Sequence, residues 1–262
     1  MNEHALLIPT SVGPVGGIVH EPEGPRVGAI VLLQGLGPAA RAGVNALYTR
    51  IARDLARLGL VVLRFDFACE GDSTLAGAEV EEDIGWRRST DLAILRELVP
   101  WFLDCIDESE VMLAGSCHGG RVALEFAAFD PAVRGLFLVV PYLWLREPHL
   151  GRDPSDDEPP GLQPVWANGP TLNSDEDILA GFRAALAQGL VWVLIGEGEE
   201  EHLLPFARRL ESDGGPVFEL EAVRGLPLHP VGSPQQQEEV MRHLPKRVAH
   251  ALAERSEAAS AP

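Results

Sequence analysis

Residues 111–120 read Val111-Met112-Leu113-Ala114-Gly115-Ser116-Cys117-His118-Gly119-Gly120. The apolar run Val111–Ala114 suits a strand buried on both faces, and Arg121–Phe129 reads as a helix stopped by Pro131. A strand that becomes a helix within so few residues leaves one residue strained at the apex with its side chain exposed. The turn is so tight that the positions two before and two after the apex must be small. Centred on Cys117, these are Gly115 and Gly119; centred on Ser116, the second is His118, whose imidazole would clash. Cys117 is therefore the apex. A free cysteine at an ordinary strand end is a small buried hydrophobe. At a strand-to-helix turn between two glycines it reads as a nucleophile, with the helix N-terminus expected to lower its thiol pKa. Cys69 and Cys105 lack this context and read as packing residues.

Outward from the turn, strands alternate with helices, the pattern of a mostly parallel sheet covered on both faces. Short β segments are expected near Ala5–Pro9 and Val15–His20, then strands at Ala29–Leu33, Val61–Phe65, Gly135–Val140, Val191–Ile195 and Val217–Leu220. Leu47, Ile51, Leu55 and Leu58 recur at helical spacing across Asn45–Leu58, and Gly59 closes that helix. Asp91–Val99 is expected to be helical until Pro100 ends or kinks it. A closing helix, about Gln236–Arg255, stacks Val240, Leu244, Val248 and Leu252 on one face. Residues 256–262 read as a disordered tail. Residues 146–189 break the alternation with prolines, glycines and acids before a helix at Asp175–Ala187, and read as a lid insertion within a single domain spanning residues 1–262.

The chain has 262 residues and a net charge of -18, from 39 acidic against 21 basic residues. Phosphate contact needs clustered Lys and Arg, so nucleic acid is not an expected partner, and neither is an anionic membrane surface. The opening ten residues carry no basic region ahead of an apolar core, and no apolar run approaches the length of a bilayer span. Three widely spaced cysteines without a CxxC pair argue against a disulfide framework or a zinc site, and no cofactor is implied. A cytoplasmic location is the expectation.

The segment GSCHGG resembles the G-x-S-x-G turn of the α/β-hydrolase superfamily with cysteine in place of serine, as in dienelactone hydrolases and some thioesterase domains. Leu33-Gln34-Gly35-Leu36-Gly37 is similar to that superfamily's HG-x-G loop, with Gln34 where histidine is usual. Phe65–Ser73 is similar to its D-x-x-G-x-G-x-S segment, in which Asp66 and Asp72 would be structural. The resemblance extends over nearly the whole chain and implies an α/β-hydrolase fold. It also implies the chain order nucleophile, acid, base.

On that order the base is His229, in the loop between the last strand and the closing helix, and the acid is Glu199, on the Asp position of a G-x-x-D pattern. Glu197, Glu200 and Glu201 leave the choice of acid open by one or two positions. His118 makes a poor base so close to Cys117, although its side chain has reach to a substrate. The oxyanion hole implied by the resemblance uses the backbone N–H groups of His118 and Leu36. A thiol, an imidazole and two amide donors suit acyl transfer, so the expected partner is a small acyl substrate, free or carrier-bound. Pro141, Tyr142, Leu143, Trp144 and Trp166 are candidates for an acyl pocket. Three readings follow: a Cys-His-Glu thioesterase or esterase, an acyltransferase or cyclase, and a non-hydrolytic binding protein on the same fold. A metal site at Cys117 and His118 is the weakest reading.

Overall fold

The computed structural model describes residues 1–35, 40–68, 70–73, 84–141, 143, 174–226 and 233–260. Its framework is an eight-stranded sheet: β1 (Asn2–Ile8), β2 (Val15–Glu21), β3 (Gly28–Leu33), β4 (Leu60–Phe65), β5 (Val111–Cys117), β6 (Val133–Pro141), β7 (Leu190–Gly196) and β8 (Glu219–Val223). The spatial order is β1-β2-β4-β3-β5-β6-β7-β8. The β1–β2 and β2–β4 pairs are antiparallel, and every pairing from β4 to β8 is parallel. The helices are α1 (Leu47–Arg57), α2 (Ile84–Ile106), α3 (His118–Ala127), α4 (Asp175–Gln188), α5 (Leu204–Ser212) and α6 (Pro234–Ser260).

Successive strand residues point to opposite faces, which sorts the apolar runs into two cores. Ile30, Leu32, Val62, Met112 and Trp192 meet Ile51 and Leu55 of α1 and Leu244 and Val248 of α6. Val31, Leu33, Leu63, Leu113 and Val193 meet the other layer, built by α2, α3, α4 and α5. With both faces covered, the central strands bury nearly every side chain, which is why they read as unbroken apolar runs.

Several boundaries differ from the sequence reading. Pro100 lies inside α2, which runs on to Ile106. Phe102, Leu103 and Ile106 continue its buried stripe, and their burial outweighs the lost backbone hydrogen bond. The helix α4 overlaps the end of the segment read as a lid. Ser174 caps it, accepting the Asp177 backbone N–H at 3.1 Å. Ile178, Leu179 and Phe182 are buried in the sheet-packing core, so α4, which lies between β6 and β7 in the chain, packs on the sheet. Residues 146–173 of the same segment lie outside the described residues. The sequence does not announce a further helix, α5, and α6 continues as far as Ser260 through a stretch in which Glu257, Ala258 and Ala259 favour helix. Cys105 is exposed rather than packed, and Cys69 lies outside the described residues.

The segment after β4 is held by a buried carboxylate. Asp66 accepts the backbone N–H groups of Arg41 (2.7 Å) and Asp72 (2.9 Å) and pairs with the Arg41 guanidinium. Gly71 has φ 52°, and a side chain there would overlap the Asp66 carboxylate. On the neighbouring β2–β4 pair His20 is fully buried and accepts Arg64 Nε at 2.8 Å. Burial, then the Arg64 charge, pushes the His20 imidazole down to about 4.

Two outcomes test this architecture. Phe182 is fully buried and stacks on Phe218 with ring centroids 4.7 Å apart, so Phe182→Ala should cost about 3–5 kcal/mol in urea unfolding. A helix belonging to a lid would show little loss. Because His20 is neutral when folded and titrates near 6.5 when unfolded, the unfolded chain takes up the proton first on acidification. Stability should therefore fall as pH drops from about 6.5 to 4, and the stability gap between wild type and His20→Gln should narrow across that window.

Candidate active site

Cys117 ends β5 and precedes α3 with φ 49° and ψ -120°, a conformation that costs a non-glycine residue about 1–3 kcal/mol. The packing around it enforces the bend. A side chain at Gly115 would overlap the Gly119 carbonyl, and one at Gly119 would overlap the carbonyls of Leu33 and Gln34. The adjacent strand is irregular at the same level: Ser116 pairs with Val139 and Cys117 with Pro141, leaving Val140 as an extra residue with φ 43°. Cys117 is partly exposed, at the C-terminal edge of the parallel sheet.

The thiol does not lie low. Burial pushes Cys117 above its ordinary value, and the His118 backbone N–H, which bonds the sulfur, only partly offsets it. This corrects the expectation of a lowered thiol, since desolvation of the thiolate outweighs the donor. The same N–H is the oxyanion donor expected of His118. The His118 side chain turns away into the core, where Nε2 lies 2.9 Å from Asp91 Oδ2 and the ring meets Phe67 edge-on. Only 3% of His118 is exposed, so its imidazole is not available to a substrate. Asp91 also accepts the Ala68 backbone N–H at 3.0 Å and so joins α2, the segment after β4 and the turn.

Gly35 brings the loop after β3 against the turn, where a side chain on it would lie 3.1 Å from Cys117 Cβ. Gln34 is buried and donates to Glu70 at 3.4 Å, which ties this loop to the segment after β4. Leu36, the other expected donor, lies outside the described residues.

Glu199 follows β7, and its backbone N–H donates to the Gly196 carbonyl at 3.0 Å. Its carboxylate is 3.4 Å from His202 Nε2 and about one-third exposed. His229 lies outside the described residues, as do the other residues from 227 to 232, but both ends of its loop are fixed. On one side Leu226 is buried with its carbonyl packed on Gly196, where no side chain fits and near the Glu199 stem. On the other, Ser233 and Gln236 form a capping box at the start of α6, with bonds of 3.3 and 2.9 Å.

A cavity of about 700 Å³ opens beside Pro141, the register partner of Cys117. Leu143, Leu179, Ile195, Leu203 and Phe206 line it, with Glu201, His202 and Arg208 among its polar residues. Of the acyl-pocket candidates, Pro141 and Leu143 line this cavity, while Tyr142, Trp144 and Trp166 lie outside the described residues. Cys117 itself does not line the cavity.

Sequence reading missed two contacts. Asp91 shares a helix face with Leu95 and Leu98, and a carboxylate on an apolar stripe was the available signal. The second is Tyr48, whose hydroxyl bonds Ser116 Oγ, and no local pattern announces it.

No known family model matches the sequence, and no curated protein matches it. Solved structures do match in fold. The Pyrococcus furiosus esterase Pf2001 superposes with a TM-score of 0.67 at 16% identity, covering 97% of this chain and 90% of that one. Est1E from Butyrivibrio proteoclasticus, solved with ferulic acid bound, gives 0.67 at 14% identity over 95% of this chain and 100% of its own. An alpha-beta serine hydrolase homologue from Coxiella burnetii gives 0.62 at 16% identity over 94% and 97%. The chain therefore has the α/β-hydrolase fold. Among the described residues, no helix is long and apolar enough to cross a membrane.

Because the folded protein holds Cys117 above its ordinary value, the thiolate fraction should keep growing past pH 9. The rate of Cys117 carboxamidomethylation by iodoacetamide, followed by peptide mass, should rise across pH 7–10 without a plateau below pH 9. A plateau near pH 7 would show a thiolate stabilised by groups other than the His118 N–H.

Proposed function

We propose that this chain hydrolyses a thioester or activated ester through an acyl-cysteine intermediate, with Cys117 as nucleophile, His229 as base and Glu199 as the acid that orients the imidazole. The observation that carries this reading is the backbone at Cys117: positive φ, at a strand-to-helix junction, between two glycines that leave no room for a side chain. Strain of this kind persists only where the surrounding packing over-determines it, and it gathers at reactive positions. The fold's named neighbours include an esterase and a serine hydrolase homologue, which supports ester chemistry.

The thiol starts protonated, so its proton must leave as the sulfur attacks the acyl carbon. His229 takes that proton. The carbonyl oxygen becomes an oxyanion held by the N–H groups of His118 and Leu36, each donor contributing about 2.7–4 kcal/mol. Collapse of the tetrahedral species expels the leaving alcohol or thiol, which receives the proton from His229. Water then loses a proton to His229 and attacks the acyl-cysteine, releasing a carboxylic acid and restoring the thiol. Glu199 stabilises the imidazolium formed in both steps. Thioesters and activated esters suit a thiol nucleophile because their leaving groups depart readily. The cavity beside Pro141, with Leu143, Leu179, Ile195, Leu203 and Phe206 on its apolar side, suits an acyl group of moderate size, whether free or delivered on a carrier.

The test uses p-nitrophenyl butanoate and butanoyl-N-acetylcysteamine. Cys117→Ala should abolish turnover and the acyl adduct seen in the intact mass. His229→Ala should lower kcat by about 10²–10⁴-fold, and Glu199→Gln should cost less than His229→Ala. Full turnover by Cys117→Ala, or a wild type with neither adduct nor turnover, would overturn the proposal.

A further inference from the structure

Tyr48 lies in the first turn of α1; the residue is half-buried, and its hydroxyl end is deep in the interior. The oxygen touches two segments at once. It shares a hydrogen bond with Ser116 Oγ and lies near the Gly35 backbone N–H, and a side chain on Gly35 would itself lie 3.7 Å from Ser116 Oγ. Ser116 immediately precedes Cys117, and Gly35 immediately precedes Leu36. We propose that Tyr48 is a positioning residue that clamps the loop carrying the Leu36 donor to the turn carrying Cys117 and the His118 donor. This inference rests on the acyl-cysteine reading and adds a residue to it.

The local backbone is built around this contact. Asn45 and Ala46 both have positive φ, 52° and 56°, immediately ahead of α1, a costly arrangement for two side-chain-bearing residues in succession. Gly43 has φ 68°, and a side chain on it would overlap the Tyr48 ring. Gln237 of α6 is 1% exposed and holds the Val44 carbonyl at 3.1 Å, so the strained turn is tied to the helix that follows the His229 loop. Burial pushes the phenol up to about 12, so the hydroxyl keeps its proton across the working range. It therefore bridges the segments as a neutral group.

An oxyanion hole works only if both donors are fixed before the charge appears. The clamp holds Gly35, which precedes the proposed Leu36 donor, against the turn, so its loss should slow acyl transfer while leaving simple thiol alkylation alone, since alkylation forms no oxyanion. Tyr48→Phe keeps the ring and should lower kcat on p-nitrophenyl butanoate about tenfold or more, with KM within about twofold. Ser116→Ala should give a comparable loss, and Tyr48→Phe with Ser116→Ala should be little worse than either alone. Carboxamidomethylation of Cys117 in these variants should stay within about twofold of wild type. The assignment falls if Tyr48→Phe leaves kcat unchanged, if alkylation drops in parallel with turnover, or if the two losses multiply. If turnover proves independent of Cys117, the acyl-cysteine reading falls and the clamp falls with it. If turnover needs Cys117 but not the Tyr48 hydroxyl, only the clamp falls.

Discussion

A backbone that must leave a parallel strand and enter a helix at Cys117 is the constraint from which the site's geometry follows. The turn closes because Gly115 faces the Gly119 carbonyl and Gly119 faces the carbonyls of Leu33 and Gln34, at distances that admit no Cβ. Those carbonyls belong to the end of β3 and the loop after it. The same close packing that bends the nucleophile segment therefore draws the neighbouring loop against it, until Gly35 meets Cys117 Cβ. One steric requirement thus assembles the sulfur, the His118 amide and the approach of the adjacent loop.

The electrostatics answer a different question. A thiol poised as a thiolate would sit among cations or several donors, whereas Cys117 is mostly desolvated with one backbone N–H on its sulfur. Its reactivity then depends on a base acting during attack. The described ends of the 227–232 loop bear on this. Leu226 is packed onto Gly196 beside Glu199, and Ser233 is capped into α6, which fixes both anchors of the segment that carries His229. Buried polar contacts stiffen the surroundings. Asp91 links His118 to Ala68, Gln34 reaches Glu70, and Asp66 gathers Arg41 and Asp72. Each satisfies a polar group that would otherwise be costly to bury, and each joins segments distant in sequence.

Much of the fold was legible in the chain because burial on both faces writes itself as continuous apolar runs, as in Ala29–Leu33 and Val191–Ile195. The Gly-x-Cys-x-Gly spacing was equally legible, since it reflects a steric rule acting within five residues. Errors arose where tertiary packing overrode local signals. Pro100 punctuates the sequence but not α2, because the residues beyond it have a core to enter. The helix expected at Asp175–Ala187 is found at Asp175–Gln188, and what the sequence left unread is that its apolar face enters the sheet-packing core.

What the sequence by itself determined is the set of local geometries: which runs are strands, where the chain must bend, and that a cysteine stands at the bend. These follow from period, apolar content and the sterics of glycine, all short-range properties. The tertiary structure alone decided which polar groups meet. That His118 would bond Asp91 rather than face a substrate, that Cys117 would be held above its usual value, and that Tyr48 would reach Ser116 across 68 positions are consequences of strand order. Such contacts depend on which segments the sheet makes neighbours, and no window of the chain contains that information.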